Sequence, residues 1–255
     1  MNNKAAMSFA ALVALSTQAE AQQIESISLE LLPIEKELDS VLHVTAHFRP
    51  FGLDFRDSTT RLTDDDYREV ARELGVEPAA IKAVVDIETG HTHQGFWKRD
   101  KPLINFDLTI YRRMARRRGV DLQRAHRRFP VIFNKPNVRR YGSRHAAQQA
   151  RLDAAMEVDK VSAIEGTFWG MFQIGGFNWK KCGVGSIDEF VELMSRSERD
   201  QLELFAQFCV SNDLVKYIRD KNWAAFSLRY NGPGYAARGY HTKMANAYRK
   251  FKKDF

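Results

Sequence analysis

Residues 75–90 read GVEPAAIKAVVDIETG, and the rest of the chain is best read outward from them. Pro78 suits the first turn of a helix, where its missing N–H costs nothing. Ile81, Val84, Val85 and Glu88 then fall at i, i+3, i+4 and i+7, which is one face of a helix. Three of these residues belong in a core and the fourth is an acid. Asp86 points to the opposite side, Thr89 can hydrogen-bond locally, and Gly90 lets another molecule come close. A carboxyl on the buried side of a helix loses water, which disfavours its charged form and raises its pKa. Such a group can hold a proton near neutral pH and deliver it as a general acid. Spacing alone leaves open a plainer reading, a helix-end glutamate in a surface salt bridge.

The neighbouring segments predict a mainly helical domain. In TDDDYREVARELG (63–75), Thr63 with Asp66 three residues on reads as a capping box. Tyr67, Val70, Ala71 and Leu74 form a stripe, and Gly75 stops it. GFWKRDKPLINFDL (95–108) reads as a β-hairpin with its turn near Lys98–Lys101 and Phe106 on the returning strand. A helix is expected through AAQQARLDAAMEVDKVSAIEG (146–166). SIDEF (186–190) and SERDQ (197–201) read as capping boxes opening further helices. NWAAFSLRYNGPGY (222–235) is a short helix ending in a glycine–proline loop, and HTKMANAYRKF (241–251) is a terminal helix. The fold class expected is α+β, mainly α, with one small β-hairpin.

The chain has 255 residues and a formal charge of +7, which favours an anionic partner. Between Arg112 and Arg144 there are eleven arginines, one lysine and a single acid, Asp121. A solvated helix face is the plain reading of that run, and attraction to anionic cell-wall or outer-membrane polymers is the functional one. Nucleic acid is not expected, because stacking aromatics are sparse in the run. At the N-terminus, MNNK, the apolar AAMSFAALVALS and TQAEA, ending in Ala19-Glu20-Ala21, read as a signal peptide over 1–21. Residues 22–60 are expected to be an extension lying on a domain of residues 61–255. No later segment approaches the length of a membrane anchor. The expected location is therefore outside the cytoplasm, periplasmic or secreted. Cys209 follows Leu202 and Phe205 at helical spacing and reads as a buried thiol. With Cys182 it makes too small a set for a disulfide framework. His91 and His93, in GHTHQG, lack a third ligand nearby, so no metal is expected.

Three segments carry chemistry together: DIETG (86–90), WGMFQIGGFN (169–178) and RYNGPGY (229–235). A helix-end Glu, a G-M-x-Q turn and a Tyr-Asn-Gly loop, in that order, resemble the goose-type lysozyme and soluble lytic transglycosylase superfamily. The closer resemblance, over about residues 61–255, is to the N-acetylmuramidase domain of phage and bacterial endolysins. It implies a lysozyme-like fold with the hairpin beside a catalytic cleft, acting as a monomer on peptidoglycan glycan strands without a cofactor. The implied reaction cleaves the β-1,4 bond between N-acetylmuramic acid and N-acetylglucosamine, with Glu88 as general acid. Gln173 would bind an N-acetyl group or orient the acid. Tyr230 and Asn231 would line the leaving-group side, and Thr89 stands where many relatives carry Ser. Trp169, Phe172 and Tyr235 are candidates to stack on sugar faces, with core packing the plainer and favoured reading of each. Asp107, in NFD where relatives often have Glu, is the candidate second carboxylate. An inverting hydrolase needs a second acid roughly 6.5–9.5 Å from the first, and a retaining one needs it at about 5 Å. Two alternatives stay open. One is a lytic transglycosylase, whose substrate supplies the attacking hydroxyl. The other is a non-catalytic peptidoglycan-binding or scaffold protein.

Overall fold

The computed structural model describes residues 56–90 and 94–255. The expected signal peptide, nearly all of the 22–60 extension, and His91 and His93 lie outside the described residues. Helix α1 (Asp64–Leu74) starts at the reciprocal Thr63–Asp66 capping box and ends at Gly75 in the left-handed region, φ 62°. Helix α2 (Pro78–Glu88) follows at once. Ile81, Val84 and Val85 are buried, so the stripe read from the sequence is the stripe that packs.

Ala79 and Ala83 of α2 form a second small cluster with Ala247 and Phe251 of the last helix, α12 (Tyr240–Phe251). Small residues at those positions let the two helices approach closely. The tertiary pairing of α2 with α12 is the most extensive between any two elements. It holds the C-terminal end of the chain beside the helix that carries Glu88.

The hairpin exists, as β1 (Phe96–Lys98) and β2 (Lys101–Pro102), but it is shorter than expected. Phe106 does not return along it. It sits on β3 (Ile104–Phe106), which pairs antiparallel with β4 (Thr167–Trp169), and β4 pairs with β5 (Ile174–Gly175). This second sheet joins segments some sixty residues apart, with Phe106 opposite Thr167 and Ile104 opposite Trp169.

Four short helices fill the interval: α3 (Leu108–Arg117), α4 (Leu122–Arg128), α5 (Pro130–Phe133) and α6 (Val138–Tyr141). Helix α7 (Arg144–Glu165) backs α3, α5 and α6. The buried Arg151 of α7 donates to the Ile132 and Phe106 carbonyls, tying the lobe to β3.

A 3₁₀ segment, Gly176–Cys182, leads to α8 (Ile187–Arg196) and α9 (Glu198–Ser211). Ser186 and Ser197 cap α8 and α9 as expected. The returning acids bond elsewhere, Glu189 to the Gly185 N–H and Asp200 to Arg196 and the Ser197 hydroxyl. Helices α10 (Val215–Arg219) and α11 (Trp223–Asn231) and a 3₁₀ turn at Pro233–Tyr235 complete the chain before α12. Among the described residues, no helix is long and apolar enough to cross a membrane.

Candidate active site

Glu88 is the last residue of α2. The helix stops there because Thr89 turns its hydroxyl back onto the Val85 carbonyl at 2.7 Å and Gly90 takes a left-handed φ of 66°. Among the described residues, a Cβ at Gly90 would meet nothing within 4 Å. Thr89 is itself buried. Its hydroxyl serves the helix end rather than facing outward.

Among the described residues, the Glu88 side chain accepts one hydrogen bond, from Asn231 Nδ2 to its Oε1 at 2.8 Å. Burial pushes its pKa up to about 7, and the Asn231 bond opposes part of that rise. Asn231 ends α11 and is buried. Its Oδ1 has no hydrogen-bond partner among the described residues. The sequence places these two residues 143 positions apart, and the fold brings them into direct contact.

The turn at 170–174 is tied to the Asn231 helix through Tyr230. Gln173 adopts a left-handed φ of 51°, unusual for a residue with a side chain. Its amide nitrogen donates to the Gly170 carbonyl at 2.8 Å, which folds the side chain onto its own turn. The Tyr230 hydroxyl donates to the Phe172 carbonyl at 3.0 Å. Its ring stacks on Phe226 and meets Phe205 edge-on. Burial, with Glu88 as a lesser cause, holds the Tyr230 phenol far above its usual pKa. Tyr230 therefore clamps the Gln173 turn to α11.

Two expected sugar platforms are core residues instead. Trp169 is 3 % exposed, donates its indole N–H to the Ile164 carbonyl and packs edge-on against Phe190. Phe172 is 3 % exposed and stacks on Phe205 at 4.2 Å. Neither offers a ring face to a ligand. Tyr235 is half-buried in the 3₁₀ turn after Asn231, edge-on to His241, and keeps accessible surface. Asp107 does not lie on a returning strand. It is the N-cap of α3, accepting from the Ile110 N–H at 2.8 Å, and it stands near the buried Arg151, whose pKa burial lowers to about 10 against the pull of Asp107.

Three participants escaped the sequence reading. Tyr240 is buried, and its phenol is pushed up first by burial and then by the nearby Glu88 charge. Cys209 is a fully buried free thiol raised by burial, with Glu88 and Cys182 as lesser causes, so it lies under the acid. Gln201 is fully buried on α9. It accepts from the Met171 N–H at 2.8 Å and donates to the Met194 carbonyl at 2.7 Å and the Gly95 carbonyl at 3.4 Å. A Cβ at Gly95 or Gly170 would collide with its amide. Gln201 thus ties the segment after Glu88 and the Gln173 turn to one helix. Neither Tyr240 nor Gln201 sits in a local pattern that marks it, and Cys209 is legible as a buried thiol but not as a neighbour of Glu88.

A second carboxyl, Glu203, is also raised by burial to about 7. It pairs with the buried Arg199, which also reaches Asp66 and Glu69 across α1 and α9. That network is structural. A cavity of about 490 Å³ flanks the other side of α2 and is lined by Asp86, Lys82, Tyr67 and Glu198 among others. It receives neither Glu88 nor Asn231. Among the described residues, no group of three or more His, Cys, Asp or Glu side chains is placed to hold a metal ion.

A family model described as N-acetylmuramidase matches residues 77–252. Among solved structures, the chain is similar to the crystal structure of Burkholderia AP3 phage endolysin. The two share 33% sequence identity, with 78% of this chain and 74% of that chain covered and a TM-score of 0.66. No protein of curated function matches the sequence.

Proposed function

The chain belongs to the N-acetylmuramidase family, and from that premise we propose that it cleaves peptidoglycan glycan strands at the β-1,4 bond between N-acetylmuramic acid and N-acetylglucosamine. The observation that carries the proposal is the Glu88 carboxyl, desolvated at the end of an apolar helix face and raised to about 7. Glycosidic oxygen is a poor leaving group, so the reaction needs a proton donor that is still protonated near neutral pH. Asn231 donates to Oε1, which leaves Oε2 to carry the proton. Transfer of that proton to the bridging oxygen releases the N-acetylglucosamine end as its hydroxyl. Positive charge then develops at the muramic C1, where water completes hydrolysis. Gln173 shapes the cleft wall, Tyr235 offers a ring at its rim, and Tyr240 adds a phenol beside the acid. Thr89 and Tyr230 hold these parts in place. A family whose substrate is the cell wall, together with the expected signal peptide, supports action outside the cytoplasm.

The placement of Asp107 favours a second reading. A carboxylate used as a helix cap is poorly suited to activate water, and a lytic transglycosylase needs no second carboxylate. One experiment separates the readings. Purified peptidoglycan is digested and its muramic ends are weighed by mass spectrometry. Hydrolysis gives reducing ends, and transglycosylation gives 1,6-anhydro ends lighter by one water. Glu88→Gln should abolish either product. Undiminished cleavage by that variant would refute the assignment of Glu88. A folded wild-type protein that releases no muropeptides would point to a binding or scaffold role.

A further inference from the structure

The arginine-rich stretch becomes a distinct lobe in three dimensions. Residues 108–144 hold twelve of the chain's 39 cations and one of its 32 acids, a balance of +11, while the other 27 cations and 31 acids leave the rest of the chain at −4. Arg113, Arg116 and Arg117 on α3 and Arg124, Arg127 and Arg128 on α4 are exposed, and more cations follow on α6 and at the start of α7. The lone acid, Asp121, is used as the N-cap of α4. We propose that this lobe is a docking surface for a phosphate-dense anionic lipid surface.

Three observations select that partner. First, α3, α5 and α6 pack around α7, and α4 packs on α3 and α5. The exposed cations are therefore carried by several packed helices rather than along one, as an extended array of headgroups can engage and a single strand does not require. Guanidinium groups also bind phosphate oxygens in paired hydrogen bonds. Second, the aromatic rings of the lobe are already covered. Arg112 lies over Phe133, Arg128 over Phe129 and Arg140 over Tyr141. Those rings are not free to stack on bases, as single-stranded nucleic acid would require. Third, Val138 is the one large apolar side chain exposed in this stretch among the described residues. The lobe has no apolar wedge to insert, so attachment is electrostatic and peripheral. The inference does not depend on Glu88, since it concerns adhesion and not bond cleavage.

The test uses the full chain and sedimentation with lipid vesicles. Vesicles of phosphatidylcholine with about one-third phosphatidylglycerol should bind the protein at ~50 mM salt and release most of it at ~500 mM, because screening shortens the reach of the charges. Pure phosphatidylcholine vesicles should not bind it. Each basic residue near such a surface contributes roughly fivefold, so the triple variant Arg113→Gln, Arg116→Gln, Arg117→Gln should bind about a hundredfold more weakly. Release of soluble muropeptide oligomers by that variant should be unchanged, which also reports that it is folded. The wild-type salt titration stands without any variant. Equal binding to both vesicle types, or binding indifferent to salt, would overturn the proposal. So would tighter binding, at matched phosphate, to duplex DNA or to a soluble phosphodiester polymer, either of which names a different partner.

Discussion

Glu88 is half-buried and keeps some accessible surface, yet the desolvation of its carboxyl affects catalysis and stability through the same proton. Its folded pKa of about 7 lies above the ordinary glutamate value of 4.5. Between those values the folded state binds more protons than the unfolded one. The stability this group contributes is therefore complete below about pH 4.5 and is lost as pH rises toward 7. A shift of that size corresponds to at most about 3 kcal/mol, less whatever water reaches the carboxyl. Glu88→Gln keeps the shape and still accepts from Asn231 but cannot ionise. We expect it to lower turnover by about 10²–10⁴-fold while unfolding at an equal or higher temperature above pH 7. Paired activity and melting curves check both halves, and a variant that is both active and less stable would contradict them. In the wild type, kcat/KM should fall as pH rises through about 7, when the acid loses its proton. Asp107→Asn separates a cap from a catalyst. Asn caps a helix about as well as Asp, so a cap should lose little activity, with a stability loss limited to the weakened pull on the buried Arg151. A catalytic carboxylate would lose orders of magnitude in turnover at unchanged melting temperature.

At the scale of elements, the parts legible in the sequence are those decided by local chemistry. The Thr63–Asp66 capping box, the Gly75 stop and the Ile81–Glu88 face all depend on residues within two turns of one another, and each stands where it was read. The β3–β4 pairing was not legible, because nothing in INF or TFW names a partner some sixty residues away. Trp169 and Phe172 were ambiguous for a related reason. An aromatic between glycines can face a ligand or a core, and only the arrival of Phe190 and Phe205 decides. Gln201 is the clearest case of a site residue hidden in an ordinary helix sequence. Gln201→Leu would leave the Met171 N–H and the Met194 carbonyl buried without partners, at about 1–3 kcal/mol each. We expect a lower melting temperature and a reduced kcat, because the Gln173 turn loses its anchor. Thermal unfolding together with steady-state kinetics tests this, and a variant with wild-type kcat would show that the turn holds its shape without α9.

Charge is concentrated on the lobe, at +11, while the other described residues hold 24 cations and 24 acids and carry no net charge. Like charges crowded on short helices repel, and this opposes folding of the lobe itself. Arg118 is partly compensated by Glu165, but Arg113, Arg116, Arg117, Arg124, Arg127 and Arg128 are exposed on two adjoining helices, with Asp121 as the lone acid of the stretch. Screening should relieve that repulsion. Between ~10 mM and ~150 mM salt the Debye length falls from about 30 Å to about 8 Å, which separates one helix of the lobe from the next. The melting temperature should therefore rise with salt over that range. The rise should shrink in the Arg113→Gln, Arg116→Gln, Arg117→Gln variant, which should also be the more stable protein at low salt. The ion pairs elsewhere act in the opposite direction. Lys82–Asp64 and Lys160–Asp188 are partly exposed and weaken with salt, though exposed pairs of this kind contribute only about 0–1 kcal/mol each. The net sign thus reports which set of charges dominates. A melting temperature that falls with salt in the wild type, or rises equally in the variant, would mean that the arginines are well solvated and that no repulsion is stored in the lobe.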